Sequence, residues 1–276
     1  MMDDEPGREA DRAYELNQAF WNERVPLHVR SAFYDVDGFR RRPDALRPFE
    51  QVEVGEVAGR TLLHAQCHFG LDTLSWAGRG ARVTGLDFAP AATAAARALA
   101  AELAIAAEFV TADVYDAVAA LGGRTFDIVY TGFGALVWLP DIERWAETMA
   151  RLVRPGGFLY LAEFHPFATI FEEDDGRHVE LDYFSSRALV ETAPGSYADP
   201  TAETRANTVV SWIHPIGEVV SAIAAAGLRV EFLHEHDVSL FPMYPAMRRG
   251  PDGYYRAPEG RPRVPLAYTV RASRPV

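Results

Sequence analysis

Three residues in the first half of the chain combine the chemistry needed to hold a nucleotide. Gly70 closes a tight loop after one short apolar segment, and Asp87 and Asp113 each follow a further segment of that kind. Loop amides and a helix N-terminus can bind the charged part of such a ligand, while an acid about twenty residues later can accept from ribose hydroxyls. The residue types and their spacing therefore predict a cofactor site built on a β-loop-α-β unit over residues 59–87.

The loop before Gly70 departs from the glycine-rich patterns of nucleotide-binding proteins. Gln66 and His68 stand at positions where those patterns have glycine. An ordinary turn between a strand and a helix is therefore an equal alternative for this loop taken alone. The segments that follow decide between a cofactor-binding loop and an ordinary turn.

The elements that must position these residues alternate along the chain. Short apolar runs bounded by turn residues predict buried strands, and their alternation with helices predicts a parallel, doubly wound sheet. Two strands near the end are joined by a long loop without a helix, which predicts an antiparallel last strand. The predicted strands are residues 61–65, 82–86, 108–112, 126–130, 158–162, 228–234 and 264–272, and the predicted helices are residues 13–23, 71–77, 91–103, 142–153 and 216–226.

We therefore predict an α/β fold with a Rossmann-like, seven-stranded sheet, mostly parallel with an antiparallel last strand, plus a lid insertion. Residues 1–12 are expected to fray, and residues 25–50, with several prolines, predict loops. An acidic run at residues 172–175 and two β segments near Tyr183 and Ser211 interrupt the alternation. The predicted divisions are an N-terminal cap (1–50), a cofactor-binding core (51–165), a substrate lid (166–211) and the C-terminal part of the sheet (212–276), with cap and lid over the carboxyl edge of the strands.

Composition excludes several classes of function. All 27 basic residues are arginine, so the sequence has no lysine for a Schiff base, a P-loop or a kinase-type phosphate contact. The formal net charge of -12 argues against binding a nucleic-acid backbone. No apolar run is long enough to span a membrane, the acidic N-terminus lacks the core of a signal peptide, and Cys67 is the single cysteine, so we expect a cytoplasmic protein.

Two further motifs extend the pattern of the first loop. Residues 126–129, Phe-Asp-Ile-Val, form an apolar strand, and residues 151–157, Arg-Leu-Val-Arg-Pro-Gly-Gly, end a helix in a tight turn. Together with the loop, Asp87 and Asp113, these segments resemble the class I S-adenosylmethionine-dependent methyltransferases. The resemblance covers residues 59–165 most strongly.

The resemblance implies S-adenosylmethionine as cofactor and S-adenosylhomocysteine as product. Asp87 is similar to the acid that holds the ribose, and Asp113 to the acid that holds the adenine amino group. The cationic sulfonium suits an acidic, lysine-free site. His64 stands where the family shows an acid beside the methionine portion. Cofactor contacts are expected from His64, Gln66, His68, Gly70, Asp87, Phe88, Asp113, Val114 and Thr131.

Two other functions share part of this pattern. An NAD-dependent oxidoreductase has the same first β-loop-α-β unit, although the missing glycines, Asp113 and the antiparallel last strand argue against it. A non-catalytic S-adenosylmethionine-binding module is the second alternative, because the loop is degenerate. No metal is predicted: His64 and His68 lie on a strand and a turn, which do not put residues four apart on one face.

The predicted methyl acceptor is a small molecule, methylated on oxygen or nitrogen, of the kind found in natural-product or secondary metabolism. The loop Thr-Gly-Phe-Gly at residues 131–134 lacks the Asn/Asp-Pro-Pro-Tyr/Phe signature of relatives that methylate nucleobase or amide nitrogen. Neither nucleic acid nor membrane is expected as a partner, and homodimer formation is left open. Aromatic residues expected to wall the acceptor are Tyr14, Trp21, Phe133, Trp138, Phe164, Tyr183 and Trp212.

A hydroxyl acceptor would benefit from a general base, whereas a neutral amine needs none at the attack step. His165 is the first candidate, because it follows the fifth predicted strand directly and histidine is mostly neutral at pH 7. Glu163, in the same segment, and His214, just before a predicted helix, are the other two. A histidine before a proline often only caps a strand, so a structural role of His165 is the alternative.

Overall fold

The computed structural model describes residues 5–171 and 176–276, with side chains from residue 9 onward. The acidic run predicted at residues 172–175 lies outside the described residues. The helices are α1 (Glu5–Arg30), α2 (Val36–Arg41), α3 (Pro48–Val54), α4 (Leu71–Gly78), α5 (Pro90–Glu102), α6 (Ala117–Ala120), α7 (Ile142–Leu152), α8 (Pro166–Thr169) and α9 (Ile216–Ala225), with 3-10 turns at Val114–Asp116 and Leu136–Trp138. The strands are β1 (Thr61–Ala65), β2 (Arg82–Asp87), β3 (Ala107–Thr111), β4 (Phe126–Thr131), β5 (Val153–Phe164), β6 (Leu189–Thr192), β7 (Thr208–Ser211), β8 (Arg229–His236), β9 (Arg248–Arg249), β10 (Tyr255–Arg256) and β11 (Ala267–Ser273).

Seven of these strands form one sheet in the order β3-β2-β1-β4-β5-β11-β8. β1 pairs in parallel with β2 and β4, β2 pairs in parallel with β3, and β4 with β5. β11 runs antiparallel to both β5 and β8. The predicted seven-stranded, doubly wound sheet with an antiparallel last strand is therefore confirmed. The strand order reverses between β1 and β4, and ligands of such sheets bind at the carboxyl ends of the strands near that point.

Burial on both faces explains why the central strands read as continuous apolar runs. Successive residues of a strand point to opposite faces, so Leu62 and Leu63 of β1, both fully buried, enter different layers. Leu63 packs in the layer that contains Trp145 of α7, and Leu62 in the layer that contains Trp76 of α4. Among the described helices, none has an apolar stretch long enough to cross a membrane.

The N-terminal region is more helical than the sequence predicts. α1 runs from Glu5 to Arg30 rather than over residues 13–23, continuing through Pro26, and its first part lies in the segment expected to fray. α2 and α3 occupy part of the segment predicted as loops. These predictions were wrong because α1 is stabilised by side-chain bonds to distant segments, which local sequence patterns do not contain.

Smaller differences concern strand boundaries. β5 begins at Val153 instead of residue 158, and its register with β4 shifts between Phe126 and Ile128 where the Pro-Gly-Gly turn is accommodated. A Cβ on Gly157 would lie 2.7 Å from the carbonyl oxygen of Asp127, so this close approach requires glycine. The β segment expected near Tyr183 begins only at β6, and the loop predicted at residues 237–263 contains the short β9–β10 ribbon.

Helix α1 is bonded to the segment that joins β6 to β7. The side chain of Arg24, with no exposed surface, donates to the carbonyl oxygens of Ala206 (2.6 Å) and Ala193 (2.7 Å). Asn17 donates to the carbonyl oxygen of Val210 and accepts from its N–H group. The N-terminal helix and this segment are therefore held together by a seam of buried and partly buried hydrogen bonds.

Replacing Arg24 by alanine should lower the free energy of unfolding by about 3 kcal/mol, because two partly buried carbonyl oxygens lose their donor and the loss of a buried partner costs about 1–3 kcal/mol. Urea unfolding followed by circular dichroism measures the change. Arg30→Ala, at an exposed position of the same helix, is the matched control and should change stability by less than about 0.5 kcal/mol. Equal losses in the two variants would show that the seam contributes nothing specific.

Candidate functional site

The loop between β1 and α4 has the backbone of a glycine-rich loop although two of its residues are not glycine. Gln66 and His68 have φ angles of 60° and 51°, and Gly70 has a φ of 81°. A left-handed conformation costs a non-glycine residue about 1–2 kcal/mol, so neighbouring interactions must hold Gln66 and His68 in it. At Gly70 a Cβ would lie 2.8 Å from the ring of Phe109, so no side chain fits there.

The side chains of this loop leave one polar atom free for a ligand. Gln66 donates through Nε2 to the carbonyl oxygen of Ala135 (2.9 Å), while its Oε1 is buried and has no partner among the residues described. His64 Nδ1 lies 2.8 Å from the hydroxyl of Thr73, and burial lowers the pKa of His64 to about 3. His64 is therefore neutral, and this end of the site offers amide and hydroxyl chemistry in place of a charge.

Asp87 ends β2 and accepts hydrogen bonds from two loops. One carboxylate oxygen accepts from the N–H of His68 (2.8 Å), and the other from the N–H of Ala89 (2.9 Å). Burial raises the pKa of Asp87 to about 6, and the two backbone bonds oppose that rise. Each oxygen keeps a further lone pair, so ionised Asp87 can accept from two adjacent hydroxyl groups.

Asp113 lies at the end of β3 and caps the 3-10 turn that follows. Its Oδ1 accepts from the N–H of Tyr115 (2.8 Å), and burial raises its pKa. Tyr14 of α1 packs edge-on against Phe88 with ring centroids 5.5 Å apart. Burial, and then the charge of Asp113, raise the pKa of Tyr14. Tyr14, predicted to wall the acceptor, thus lies among the acids predicted to bind the cofactor.

These groups line a cavity of about 1820 Å³ at the carboxyl ends of β1 to β5. Its wall includes residues of α1 as well as Tyr197 from the segment between β6 and β7, and its carboxylates outnumber its guanidinium groups. The division into cap, core and lid stays a prediction. The predicted site residues in the cavity wall are His64, Gln66, His68, Gly70, Asp87, Phe88, Asp113 and Val114, together with Tyr14, Trp21, Phe133, Trp138, Phe164 and Trp212.

Glu163, one of the three predicted bases, is fully engaged with the backbone. Its Oε1 accepts from the N–H groups of Gly134 (2.5 Å) and Phe164 (2.7 Å), and its Oε2 from those of Ala135 (2.8 Å) and Leu136 (2.9 Å). A carboxylate with four such donors holds the loop after β4 in shape and has no lone pair directed at a substrate. We therefore revise its catalytic prediction to a structural role.

The two predicted catalytic histidines are also turned away from the cavity. His165 accepts from the N–H of Phe167 at Nδ1 (3.0 Å) and contacts Glu235 through Nε2 (3.0 Å). His214 contacts the carbonyl oxygen of Leu139 through Nε2 (2.8 Å). Both side chains are buried, and neither belongs to the cavity wall, so we revise these two catalytic predictions as well.

Two further predicted contacts lie outside the cavity wall. Thr131, the last residue of β4, is completely buried beneath the loop that follows. Tyr183 accepts from the N–H of Ile216 (3.1 Å) and so caps α9. The positions of Thr131 and Tyr183 therefore do not support their predicted roles with cofactor and acceptor.

A pair of carboxyl groups in the cavity wall has no equivalent among the predictions. Glu50 of α3 accepts from the hydroxyl of Tyr130 (2.5 Å) and from the N–H of Arg47 (2.7 Å). Asp72 lies in the first turn of α4, directly after the loop. Burial, and then the charge of Asp72, raise the pKa of Glu50 to about 7, and burial raises that of Asp72 to about 6. Residues 25–50 are predicted as loops, and nothing in the sequence places Glu50 in a cavity.

A cluster of aromatic rings surrounds His28 of α1, and no sequence pattern predicts it. Its ring lies near those of Tyr34 (5.2 Å), His68 (5.1 Å) and Tyr197 (4.8 Å), measured between centroids. These residues come from three stretches of the chain that are far apart in sequence, so only the fold brings them together. In the described ranges, no three His, Cys, Asp or Glu side chains converge in a way suited to a metal ion.

Comparisons with known proteins agree with this arrangement. Residues 62–157 match the family model described as Methyltransferase domain. The Ubiquinone biosynthesis O-methyltransferase of Methylobacterium sp. (strain 4-46) is 31% identical over 157 residues, which are 56% of this chain and 62% of that protein. The chain thus matches less than two thirds of that curated relative.

Solved structures show the same fold. An S-adenosylmethionine-dependent methyltransferase from Mesorhizobium loti aligns with a TM-score of 0.54 at 18% identity, over 82% of this chain and 96% of that chain. A glycopeptide N-methyltransferase complexed with S-adenosyl-L-methionine aligns with a TM-score of 0.52 at 17% identity, over 82% and 92%. The predicted resemblance to methyltransferases is confirmed over residues 62–157, the solved structures share the fold, and the oxidoreductase alternative is not favoured.

Changing Asp87 to alanine should weaken the binding of S-adenosylhomocysteine by roughly 1–3 kcal/mol, because two ligand hydroxyls would lose a buried acceptor. Isothermal titration calorimetry measures the change. Asp37→Ala, which removes an exposed carboxylate of α2, serves as control and should bind like the unmodified protein. Unchanged affinity in the Asp87 variant would remove this residue from the cofactor site.

The raised pKa of Asp87 predicts that S-adenosylhomocysteine binds about tenfold more tightly at pH 7 than at pH 5, because the ribose hydroxyls donate to the ionised form. In the unliganded protein, Asp87 has the opposite effect on the pH dependence of stability. Burial favours the protonated carboxyl, so this residue lowers stability as pH rises from about 4 through about 6. Calorimetry across this range tests the first expectation, and Asp87→Asn should lose that part of the pH dependence.

Proposed function

We propose that this chain, whose residues 62–157 match the family model described as Methyltransferase domain, transfers a methyl group from S-adenosylmethionine to an oxygen atom of a small aromatic molecule. The observation that carries the proposal is the composition of the cavity wall. Asp87 and Asp113, which suit the cofactor, line this cavity. The same cavity is also lined by Phe133, Phe164 and Trp138, which suit an aromatic acceptor. The curated relatives named as O-methyltransferases support oxygen as the acceptor atom.

The residues of the loop and of β2 and β3 fit this cofactor. Oε1 of Gln66, which has no partner among the residues that the structure describes, is an acceptor suited to an ammonium or amide group, and Gly70 lets the loop pack against the ring of Phe109. Asp87 can accept from ribose hydroxyls and Asp113 from an exocyclic amine. When bound, S-adenosylmethionine supplies an electrophilic methyl group on a positively charged sulfur. The carboxylate-rich, lysine-free wall suits that charge.

The main contribution of this chain to the reaction is orientation. Methyl transfer from a sulfonium is an in-line displacement, in which holding the acceptor oxygen opposite the leaving sulfur supplies much of the acceleration. The aromatic side chains at the ends of β4 and β5 can fix a flat acceptor by its faces. Phe133 and Phe164 contact each other with ring centroids 5.2 Å apart, and Phe164 contacts Phe241 at 5.1 Å.

Glu50 and Asp72 are the proton acceptors that this proposal favours in place of His165, Glu163 and His214. Their carboxyl groups belong to the cavity wall, and their raised pKa values keep them close to the working pH. Because the two interact, they titrate as a pair. A hydroxyl proton of the acceptor would pass to this pair as the oxygen attacks the methyl group.

The experiment that tests the function supplies the protein with S-adenosylmethionine and a panel of dihydroxybenzenes, monophenols and arylamines. Formation of S-adenosylhomocysteine and the product mass are measured. We expect turnover with phenols. Methylation of the amines alone would overturn the choice of oxygen. Binding of S-adenosylhomocysteine without turnover on any acceptor class would favour a non-catalytic module, and tight NAD binding without it would favour an oxidoreductase.

Glu50→Gln and Asp72→Asn should each lower turnover by about 10²–10⁴-fold, the range for one acid–base group, with S-adenosylhomocysteine affinity nearly unchanged. Initial rates and calorimetry on the same preparations provide the two quantities. His165→Asn, outside the cavity wall, is the control and should keep its turnover. A large rate loss in that control, with full rates in both carboxyl variants, would restore the original assignment.

A further inference from the structure

A chain of hydrogen bonds joins the segment between β6 and β7 to the loop after β1. The hydroxyl of Ser196 lies 2.6 Å from Nε2 of His28, and Nδ1 of His28 lies 3.0 Å from Nε2 of His68. At the other end, the N–H of Phe69 donates to Nδ1 of His68 over 2.7 Å. The two imidazole rings are 11° from parallel, as expected for rings joined edge to edge by an N–H···N bond.

The backbone determines the position of every proton in this chain. The N–H of Phe69 can only donate, so Nδ1 of His68 is an acceptor and Nε2 of His68 carries the proton. That N–H donates to Nδ1 of His28, which is therefore unprotonated. The remaining proton of His28 is on Nε2 and is donated to Ser196. One tautomer of each histidine satisfies all three contacts.

Both histidines are neutral near pH 7. Burial, and then the charge of Arg24 one turn earlier on α1, lower the pKa of His28 to about 4. Burial, and then the neighbouring His28 and His64, lower the pKa of His68 well below its usual value. A second proton on either ring would place two N–H groups against each other, so the chain requires this neutral state.

His68, at the inner end of this chain of hydrogen bonds, is also the residue that supports Asp87. His68 has a φ of 51°, a conformation that is costly for a residue with a side chain, and its backbone N–H donates to Asp87. A bond to the far edge of the ring opposes rotation of the residue out of this conformation. The other end is firmly seated, because Arg24 bonds Ala193 and Ala206 on either side of Ser196.

We propose that His28, oriented by Ser196, is a positioning residue that holds His68 in its left-handed conformation and thereby keeps the carboxylate of Asp87 in place for the cofactor. The acceptor at Nδ1 of His28 is the essential atom. The proposal rests on the proposed use of S-adenosylmethionine, and it assigns to helix α1 and to Ser196 a part in cofactor affinity although neither belongs to the glycine-type loop.

The decisive experiment compares His28→Asn with His28→Leu. The two replacements have nearly the same shape, but only asparagine carries an oxygen where Nδ1 of His28 stood. Calorimetry with S-adenosylhomocysteine at pH 7.5 should give an affinity within about threefold of the unmodified protein for the asparagine variant and a loss of about tenfold or more for the leucine variant. Equal affinities in the two variants would overturn the proposal. Thermal unfolding of each variant shows whether it is folded.

A measurement on the unmodified protein does not depend on the folding of any variant. Long-range proton–nitrogen NMR distinguishes the protonated from the unprotonated ring nitrogen of a neutral histidine. We expect both His28 and His68 to carry the proton on Nε2 at pH 7. A proton on Nδ1 of either ring, or a doubly protonated ring, would contradict the proposed arrangement of hydrogen bonds.

Ser196→Ala, at a partly exposed position, removes only the outer end of the chain. It should weaken S-adenosylhomocysteine binding by about threefold or more, because His28 would lose the acceptor that fixes its ring. Ser186→Ala, an exposed serine shortly before β6, is the matched control and should have no effect. Equal affinities of the two serine variants would exclude Ser196 from the positioning role.

The outcomes separate this inference from the proposed function. An unmodified protein that does not bind S-adenosylhomocysteine would refute the cofactor, whatever the NMR tautomers are. A protein that binds it and turns over phenols, but in which the leucine and asparagine variants bind alike, would refute only the positioning role.

Discussion

The carboxylate of Asp87 is the constraint on which the cofactor half of the structure depends. A buried acid is costly unless its oxygens are satisfied, and here the two donors come from the loop after β1 and from the start of the segment that leads into α5. The acid therefore ties the loop after β1 to the loop after β2 at the carboxyl edge of the sheet. The unusual φ angles of Gln66 and His68 follow from this requirement, since the loop must turn its N–H groups towards β2.

The sheet could be predicted because its information is local. Residues 61–65 and 126–131 are mostly apolar and almost wholly buried because both faces of the sheet are covered, and such runs are recognisable without knowing the partner strand. Asp87 and Asp113 could be placed for the same reason: a residue directly after a parallel strand must lie at the carboxyl edge.

Side-chain direction at that edge could not be predicted. Glu163 lies near the end of β5 as Asp87 lies at the end of β2, yet it accepts from three backbone N–H groups of the loop after β4 and from the N–H of Phe164. His165 turns to the N-terminus of α8, and Tyr183 to that of α9. Glu50 is the opposite case, since it lies in a segment predicted as loops, while the fold places it in the cavity wall together with Asp72. These differences depend on contacts between segments far apart in sequence.

Strand β11 has a consequence for how the chain reaches its folded state. It lies between β5 and β8 and pairs with both along their length, although it is the last strand of the sheet in sequence. During synthesis β1 to β5 emerge first, whereas β8 has no neighbour in the sheet until β11 arrives. Until residues 267–273 leave the ribosome, β5 and β8 each present an unpaired edge, and such edges promote association between chains. If a ribosome stalled within the segment between β8 and β11, the nascent chain would have unpaired edges on both β5 and β8. The position that β11 fills between them would be empty.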